Sequence, residues 1–363
     1  MHHNNYQLKA STPGRICLFG EHQDYLHLPV ITAAIDVRIS IAGQKRADRK
    51  FVLDLPDIGK EEIIDLDQVI TYKEERDYLR SSLNVLLRQG VDISHGYDCL
   101  VRGNIPINSG TSSSSALIVT WIGFLLAIAG DPRTDDPVAI ARLAHQAEVL
   151  EFKEPGGMMD HFATSCGNVL YIEFADGMSP RQLNAKPGTF VLGDSREPKD
   201  TKGILSRVKG GAINALEILK KFDEHLSMQL LQEDFLREHE DQLSAEQYNL
   251  LQANIRNREI TQQSLALLEN EELDHRKFGQ LLNAHQAELR DRLRISTHKI
   301  DLMIEESLKA GALGAKINGS GGGGCMFAYA PDNPEDVAEA ILRTSGVPYV
   351  VKVDQGISIE KII

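Results

Sequence analysis

Between Pro106 and Leu117 the chain reads P-I-N-S-G-T-S-S-S-S-A-L, and from Ala116 to Gly130 it runs on as ALIVTWIGFLLAIAG. A run this apolar must be covered on every side, so it predicts a helix sunk in a sizeable core. At about 15 residues it falls short of the roughly 20 needed to span a bilayer. The Gly/Ser loop before it follows a predicted strand that ends near Gly103. Consecutive loop amides that meet a helix N-terminus make a cradle for an anion, because unsatisfied N–H groups and the helix dipole act together. The serine hydroxyls add donors and a candidate Mg²⁺ ligand. No Lys follows the last Gly, so this is not a Walker A loop. The same residues also fit a serine-rich helix cap.

The chain is long enough to bury such a helix. Its 363 residues correspond to about two domains at roughly 150 residues each, or to one bilobal unit. Hydrophobic residues make up 42% and charged residues 25%, which excludes a disordered, collagen-like or disulfide-stapled chain. Lys plus Arg is 39 and Asp plus Glu is 52, a net charge of −13. That balance disfavours nucleic acid and anionic membranes as partners. Any anion must then be held by local potential, from backbone amides and helix ends. Cys17, Cys99, Cys166 and Cys325 lie far apart and read as reduced, mostly buried thiols. The start, MHHNNYQLKA, lacks an apolar signal core. A soluble, cytoplasmic protein is expected, as a monomer or homodimer.

Strands are expected at Gln7–Ser11, Ile16–Phe19, Val37–Gly43, Tyr97–Gly103 and Asn168–Phe174, and helices at Tyr78–Gln89, Ser114–Ala129 and Asp136–Glu151. Asp176–Gly188, rich in Gly and Pro, reads as a hinge. Beyond it, amphipathic helices dominate from about Lys202 to Ala310. They are expected to pack on a smaller sheet built from Thr189–Gly193, Ala315–Ile317, Gly324–Tyr329 and Tyr349–Val353. The domains expected are 1–185 and 186–363.

Three further motifs carry chemistry. K-I-N-G-S-G-G-G-G-C, Lys316 to Cys325, has glycine at five of the six positions from Gly319 to Gly324. That many glycines cost conformational entropy unless the backbone needs unusual angles or close approach to a ligand; a flexible hairpin loop is the plainer alternative. P-G-R-I-C-L-F-G-E-H-Q-D-Y, Pro13 to Tyr25, gathers Arg15, Glu21, His22 and Asp24 around a short apolar strand. Carboxylates accept hydrogen bonds from hydroxyls, which suits a polyol, and a charged surface turn fits equally. E-P-G-G-M-M-D-H-F, Glu154 to Phe162, sets Asp160 after a Gly-Gly turn and two methionines. Apolar flanks tend to raise a carboxyl pKa, although a helix-capping Asp reads the same way. Glu148 stands twelve residues upstream of it.

Taken together and in this order, the motifs resemble the GHMP kinase superfamily over about residues 8–330. G-R-I-C-L-F-G-E-H-Q-D-Y and G-G-M-M-D-H-F are similar to galactokinase most of all, whereas G-S-G-G-G-G-C and Glu197–Val208 look closer to mevalonate kinase. Within the serine-rich loop the chain departs from the family's usual pattern at Asn108 and Thr111, and Glu197–Val208 lacks the substrate-contacting Tyr usual in galactokinases.

The resemblance implies an α+β two-domain GHMP kinase fold. A mixed-sheet α/β N-terminal domain and a helix-rich, ferredoxin-like C-terminal domain would enclose an active site in the cleft between them. It implies ATP-dependent phosphoryl transfer to a small-molecule alcohol, with the anomeric hydroxyl of galactose or a related sugar as the expected acceptor. The alternatives are a mevalonate-kinase-like enzyme and a catalytically idle protein that senses sugar and ATP. Asn108, Ser109, Gly110, Thr111, Ser112, Ser113, Ser114 and Ser115, with Gly321 and Gly322, would bind ATP. Ser114 and Glu148 would hold Mg²⁺. Asp160 would be the catalytic carboxylate with Arg15 beside it, and Glu21, His22, Asp24 and Gly157 would bind the sugar.

Overall fold

The computed structural model describes residues 6–107, 109–154, 156–174, 178–199 and 201–362. Two sheets organise them. The larger contains β1 (Leu8–Phe19), β2 (Val30–Lys45), β3 (Lys50–Leu55), β4 (Lys60–Asp65), β5 (Tyr97–Gly103), β6 (Val169–Glu173) and β7 (Ser179–Leu183). The smaller contains β8 (Thr189–Asp194), β9 (Gly314–Asn318), β10 (Cys325–Tyr329) and β11 (Val347–Lys352). A last strand, β12 (Ser358–Lys361), returns to the larger sheet and pairs with Leu8–Ser11 of β1. The expected division near residue 185 therefore falls between β7 and β8, but the C-terminal strand lies with the first sheet rather than the second.

The larger sheet runs β12-β1-β2-β5-β3-β4, with β6 joined to β2 and β7 to β6. β2 holds it together. One edge pairs with β1, while the other pairs first with β6 through Val30–Ala33 and then with β5 through Ile39–Lys45. Its first six residues are buried and its second half alternates, as expected for a strand covered on both faces only at one end. The smaller sheet is antiparallel throughout, in the order β11-β8-β10-β9.

The helices are α1 (Tyr78–Arg88), α2 (Ser113–Ala129), α3 (Pro137–His145), α4 (Met159–Cys166), α5 (Thr201–Leu219), α6 (Glu233–Glu238), α7 (Ala245–Leu268), α8 (His275–Ala287), α9 (His298–Lys309) and α10 (Pro334–Arg343). The apolar run is indeed the buried α2. Trp121 packs edge-on to Phe51, and its indole N–H donates to the Leu79 carbonyl at 3.1 Å, so the one polar atom of that side chain is satisfied. No helix among the described residues is long and apolar enough to cross a membrane. One apolar cluster spans both sheets: it contains Ile16, Phe19 and Ile31 of the larger, Phe190 and Phe327 of the smaller, and Phe278 of α8, which packs edge-on to Phe19.

Several expectations need correction. The strands expected at Gln7–Ser11 and Ile16–Phe19 are one strand. β1 crosses Pro13 with a register shift, and Pro13 lies beyond the stretch paired to β12, so its missing N–H leaves no gap on that edge. The helix expected over Asp136–Glu151 is α3 followed by a π-helical turn, Gln146–Leu150. Part of the expected hinge, Ser179–Leu183, is β7, while Asp176 and Gly177 lie outside the described residues. The β3–β4 hairpin, α10 and β12 are not among the elements expected from the sequence. All four cysteines are free thiols.

Candidate active site

β1 and α4 bring Arg15 and Asp160 together. Arg15 Nε donates to Asp160 Oδ1 at 2.8 Å, a second guanidinium nitrogen lies 2.6 Å from the same oxygen, and Nη1 donates to the Gly110 carbonyl. The Arg15 side chain is 4% exposed and that of Asp160 30%, so the pair is covered from behind and open at the front. Met158 and Met159 bury themselves against Cys17, Val30 and Phe162, which leaves Asp160 in the first turn of α4, where unsatisfied N–H groups favour an anion. Burial alone would raise its pKa. The Arg15 charge and hydrogen bonds, helped by the nearby Ser112 hydroxyl, outweigh this and hold it below the usual carboxylate range.

The loop before α2 divides its labour. Ser109 Oγ donates to the Pro106 carbonyl at 2.7 Å and lies 3.0 Å from Thr111 Oγ1, and both residues are buried. These two hydroxyls therefore shape the loop from inside. Ser112 takes left-handed angles ahead of the helix and supplies no side-chain cap, so the first-turn amides of Ser113, Ser114 and Ser115 have no intrahelical acceptor. Ser112 Oγ is buried without a well-formed hydrogen bond. Ser113 is part-exposed, Ser114 exposed and Ser115 buried. Asn108 lies outside the described residues.

The glycine loop between β9 and β10 closes onto this cradle. A Cβ on Gly324 (φ +81°) would come within 2.6 Å of the Ser109 carbonyl, and one on Gly321 (φ +83°) within 2.5 Å of the Ile295 carbonyl. Both the angles and the spacing exclude side chains. Cys325 N–H donates to Ser109 O at 2.6 Å, Gly324 N–H to Glu197 O at 3.2 Å and Gly322 N–H to Ile295 O at 2.7 Å. The Gly322 amide is thus committed to the protein, contrary to its expected place among ATP-binding groups, and the glycines serve close backbone packing. Asn318, fully buried, donates from Nδ2 to Gly110 O and accepts from Cys17 N–H, each at 2.9 Å. Lys199 borders the same place, its Nζ 3.3 Å from where a Gly110 Cβ would stand. Burial, with Arg15 nearby, lowers its pKa against the opposing pull of Asp160.

The segment after β1 holds the residues expected at the sugar, and the structure sorts them. Asp24 is half-buried beside Gly157, where a Cβ would sit 1.9 Å from Asp24 Oδ2. A side chain at 157 would have to displace the Asp24 carboxylate. Burial, then the neighbouring Asp160 charge, raises Asp24 to about 6. Glu21 is instead sealed in an ion pair: Lys316 Nζ lies 3.0 Å from its Oε2 and also donates to the Cys17 and Ile317 carbonyls. His22 has both ring nitrogens engaged, Nδ1 with Tyr25 Oη at 2.7 Å and Nε2 with the Ser320 carbonyl at 3.0 Å. Glu21 and His22 are therefore turned to the protein, whereas Asp24 and Gly157 sit beside Asp160.

Glu148 lies in the π-helical turn, a local irregularity common at functional positions. His161, next to Asp160 in α4, holds its Oε2 at 2.8 Å, which uses one of the two carboxylate oxygens. A serine hydroxyl and a carboxylate are hard oxygen donors of the kind Mg²⁺ takes, and Mg²⁺ usually binds through one or two carboxylates together with substrate phosphates. The donor set of Ser114 and Glu148 therefore fits that ion.

Asp160, Arg15, the α2 N-terminus, the glycine loop, Asp24 and Gly157 meet in one place. A carboxylate kept ionised, amides without an intrahelical acceptor and a second carboxyl of raised pKa can together bind a polyanion and orient a hydroxyl. Sequence reasoning overlooked Lys316, Asn318, Lys199, Tyr25 and His161. Lys316 and Asn318 stand inside K-I-N-G-S-G-G-G-G-C, Lys199 inside Glu197–Val208 and Tyr25 at the end of the Pro13–Tyr25 motif, so the signal was present without a role attached.

Comparison with known proteins gives a consistent setting. The model described as galactokinase galactose-binding signature matches residues 2–45, GHMP kinases N terminal domain 77–168, and GHMP kinases C terminal 264–347. A mevalonate kinase of Thermococcus sibiricus is 28% identical over 364 residues, covering 98% of each chain. A galactokinase of Clostridium perfringens is 29% identical, covering 90% of this chain and 86% of its own. The crystal structure of Lactococcus lactis galactokinase complexed with galactose superposes with a TM-score of 0.83 at 24% identity, covering 97% of this chain and 95% of that one.

Proposed function

Because the chain belongs to the GHMP kinases, phosphotransferases that act on an alcohol group, we propose that it transfers the γ-phosphoryl of ATP to a sugar hydroxyl, the anomeric hydroxyl of galactose or a close relative. The observation that carries this reading is the Arg15–Asp160 pair, sealed behind and open in front, beside a helix N-terminus with no side-chain cap. Support for a sugar comes from the galactose-binding signature over residues 2–45 and from Asp24, whose carboxyl suits paired hydroxyls.

In this reading the amides of Ser113–Ser115 receive the phosphates, and Ser114 and Glu148 hold Mg²⁺, which when bound offsets phosphate charge. Asp24 accepts hydrogen bonds from acceptor hydroxyls, and Gly157 leaves it room. Asp160 orients the attacking hydroxyl and takes its proton. Arg15 keeps Asp160 ionised and, with Lys199, offsets charge that develops on the transferring group.

A second reading, mevalonate as acceptor, is favoured by the near-full-length similarity to the Thermococcus mevalonate kinase. An ADP-release assay with Mg²⁺–ATP and a panel of galactose, other aldoses, uronic acids and mevalonate separates them. Turnover confined to sugars supports the proposal, and turnover confined to mevalonate replaces it. Binding of both ligands without ADP release would indicate a sensing protein.

A further inference from the structure

The expectation for His22 was a side chain that reads the acceptor, yet its ring has no nitrogen left for one. The Ser320 carbonyl can only accept, so the proton sits on Nε2, and Nδ1 accepts from the Tyr25 hydroxyl. Burial lowers the pKa of His22, in keeping with this neutral form. The ring is 5% exposed and stands edge-on to Tyr25. The segment takes left-handed angles at His22 (φ 63°), a conformation disfavoured for a non-glycine residue and kept here by the two hydrogen bonds that lock the ring.

What the ring connects is informative. Ser320 lies in the glycine loop, one residue after Gly319, where a Cβ would meet the Gly110 Cα at 3.0 Å. Gly110 belongs to the phosphate cradle and its carbonyl takes the bonds from Arg15 and Asn318. Tyr25 follows Asp24, the carboxyl pressed against Gly157 and within the field of Asp160. A contiguous path thus runs from Gly110 through Gly319, Ser320, His22 and Tyr25 to Asp24. Below it, Lys316 ties Glu21 to β9, so the two loops share a rigid footing, and His22 is the bond that joins their tips.

We propose that His22 is a positioning residue that couples the phosphate-side glycine loop to the acceptor loop, so that nucleotide binding orders residues 20–28 before the acceptor arrives. This rests on the kinase reading above, since it needs a nucleotide on the Gly110 side. By reciprocity an acceptor would tighten nucleotide binding by the same factor, about 5- to 150-fold where such coupling is found.

The test is hydrogen exchange with the full chain and a non-hydrolysable ATP analogue plus Mg²⁺, with no acceptor present. In the wild type, exchange should slow several-fold at 109–116, at 319–324 and at 20–28. In His22→Phe, which loses both bonds, slowing should persist at 109–116 and 319–324 and vanish at 20–28. His22→Gln, which can still donate to the Ser320 carbonyl, should restore it. Tyr25→Phe should keep slowing at 20–22 and lose it beyond Asp24. No slowing anywhere in the wild type would sink the nucleotide reading, and this inference with it. Slowing at 109–116 but not at 20–28 in the wild type, or equal slowing at 20–28 in His22→Phe, would overturn the coupling alone. Titration of galactose with and without the analogue gives the matching factor, which should fall toward one in His22→Phe and recover in His22→Gln.

Discussion

Two cation–carboxylate pairs, Arg15 with Asp160 and Lys316 with Glu21, have different fates in this molecule. Lys316 and Glu21 are 0% and 2% exposed, whereas Arg15 and Asp160 are 4% and 30%. Lys316 spends its remaining donors on two backbone carbonyls, which leaves a closed unit with no face for a ligand. Arg15 is also spent, on Gly110, but Asp160 opens outward from a helix N-terminus. The same chemistry is structural where both partners are sealed, and available for reaction where one carboxylate edge stays open. Motif reading cannot separate Glu21 from Asp160, because the difference lies in what covers each of them.

The comparison can be broken from the open side first. Asp160→Ala should lower kcat by about 10²- to 10⁴-fold, the usual worth of a positioned acid–base group. Nucleotide affinity, measured by titration with a non-hydrolysable analogue, should change little. A near-wild-type kcat would remove Asp160 from the chemistry.

The closed side should show the reverse pattern. Lys316→Met strands a buried carboxylate and should cost about 3–5 kcal/mol in urea unfolding. Pairing it with Glu21→Met should recover most of that loss, because an apolar replacement of a buried pair is often neutral. If the double variant stays as unstable as the single one, Lys316 does more than neutralise Glu21.

A smaller effect is expected at the border between the two pairs. Gly157→Ala pushes a methyl into Asp24, because the added carbon would sit 1.9 Å from Oδ2. A misplaced binding group of this kind should lower kcat/KM for the acceptor by about 10- to 100-fold, with KM for ATP nearly unchanged. An equal loss for both substrates would mean that the loop as a whole had shifted.

The gentlest probe is pH. Asp24 is raised to about 6, first by burial and then by Asp160, while Asp160 is lowered. The two carboxyls share one site, so an apparent pKa near 6 belongs to the pair. As pH rises from 5 to 7, Asp24 ionises and can accept from two hydroxyls, so kcat/KM for the acceptor should climb and level off. Asp24→Asn should flatten that limb. The same shift makes the folded state hold the Asp24 proton where the unfolded chain has lost it, so this group's contribution to stability falls as pH rises from about 4 to about 6.

Much of the site was legible because its parts are local. The apolar run after the serine loop could only be a buried helix, and α2 is one. Asp160 and Arg15 were singled out by the resemblance of the motifs they stand in, since by type and setting alone a helix-capping Asp and a charged surface turn fit equally. What stayed hidden was long-range. Lys316 reads as an ordinary strand residue until β9 is laid against Glu21, 295 positions away. β12 is too short and polar to stand out, and it forms because β1 offers it an edge. β7 was concealed by the Pro and Gly around it, which marked a hinge where an edge strand tolerates Pro180. Gly322 looked like a ligand contact because a glycine-rich loop suggests one, yet its amide answers to Ile295.

The most direct measurement is a crystal structure of the protein with galactose and a non-hydrolysable ATP analogue bound together. The phosphates should lie against the amides of Ser113–Ser115, and one acceptor hydroxyl should lie within hydrogen-bond reach of Asp160 on the line to the γ-phosphate. Phosphates settled away from that helix end, or an acceptor bound out of reach of Asp160, would contradict the account.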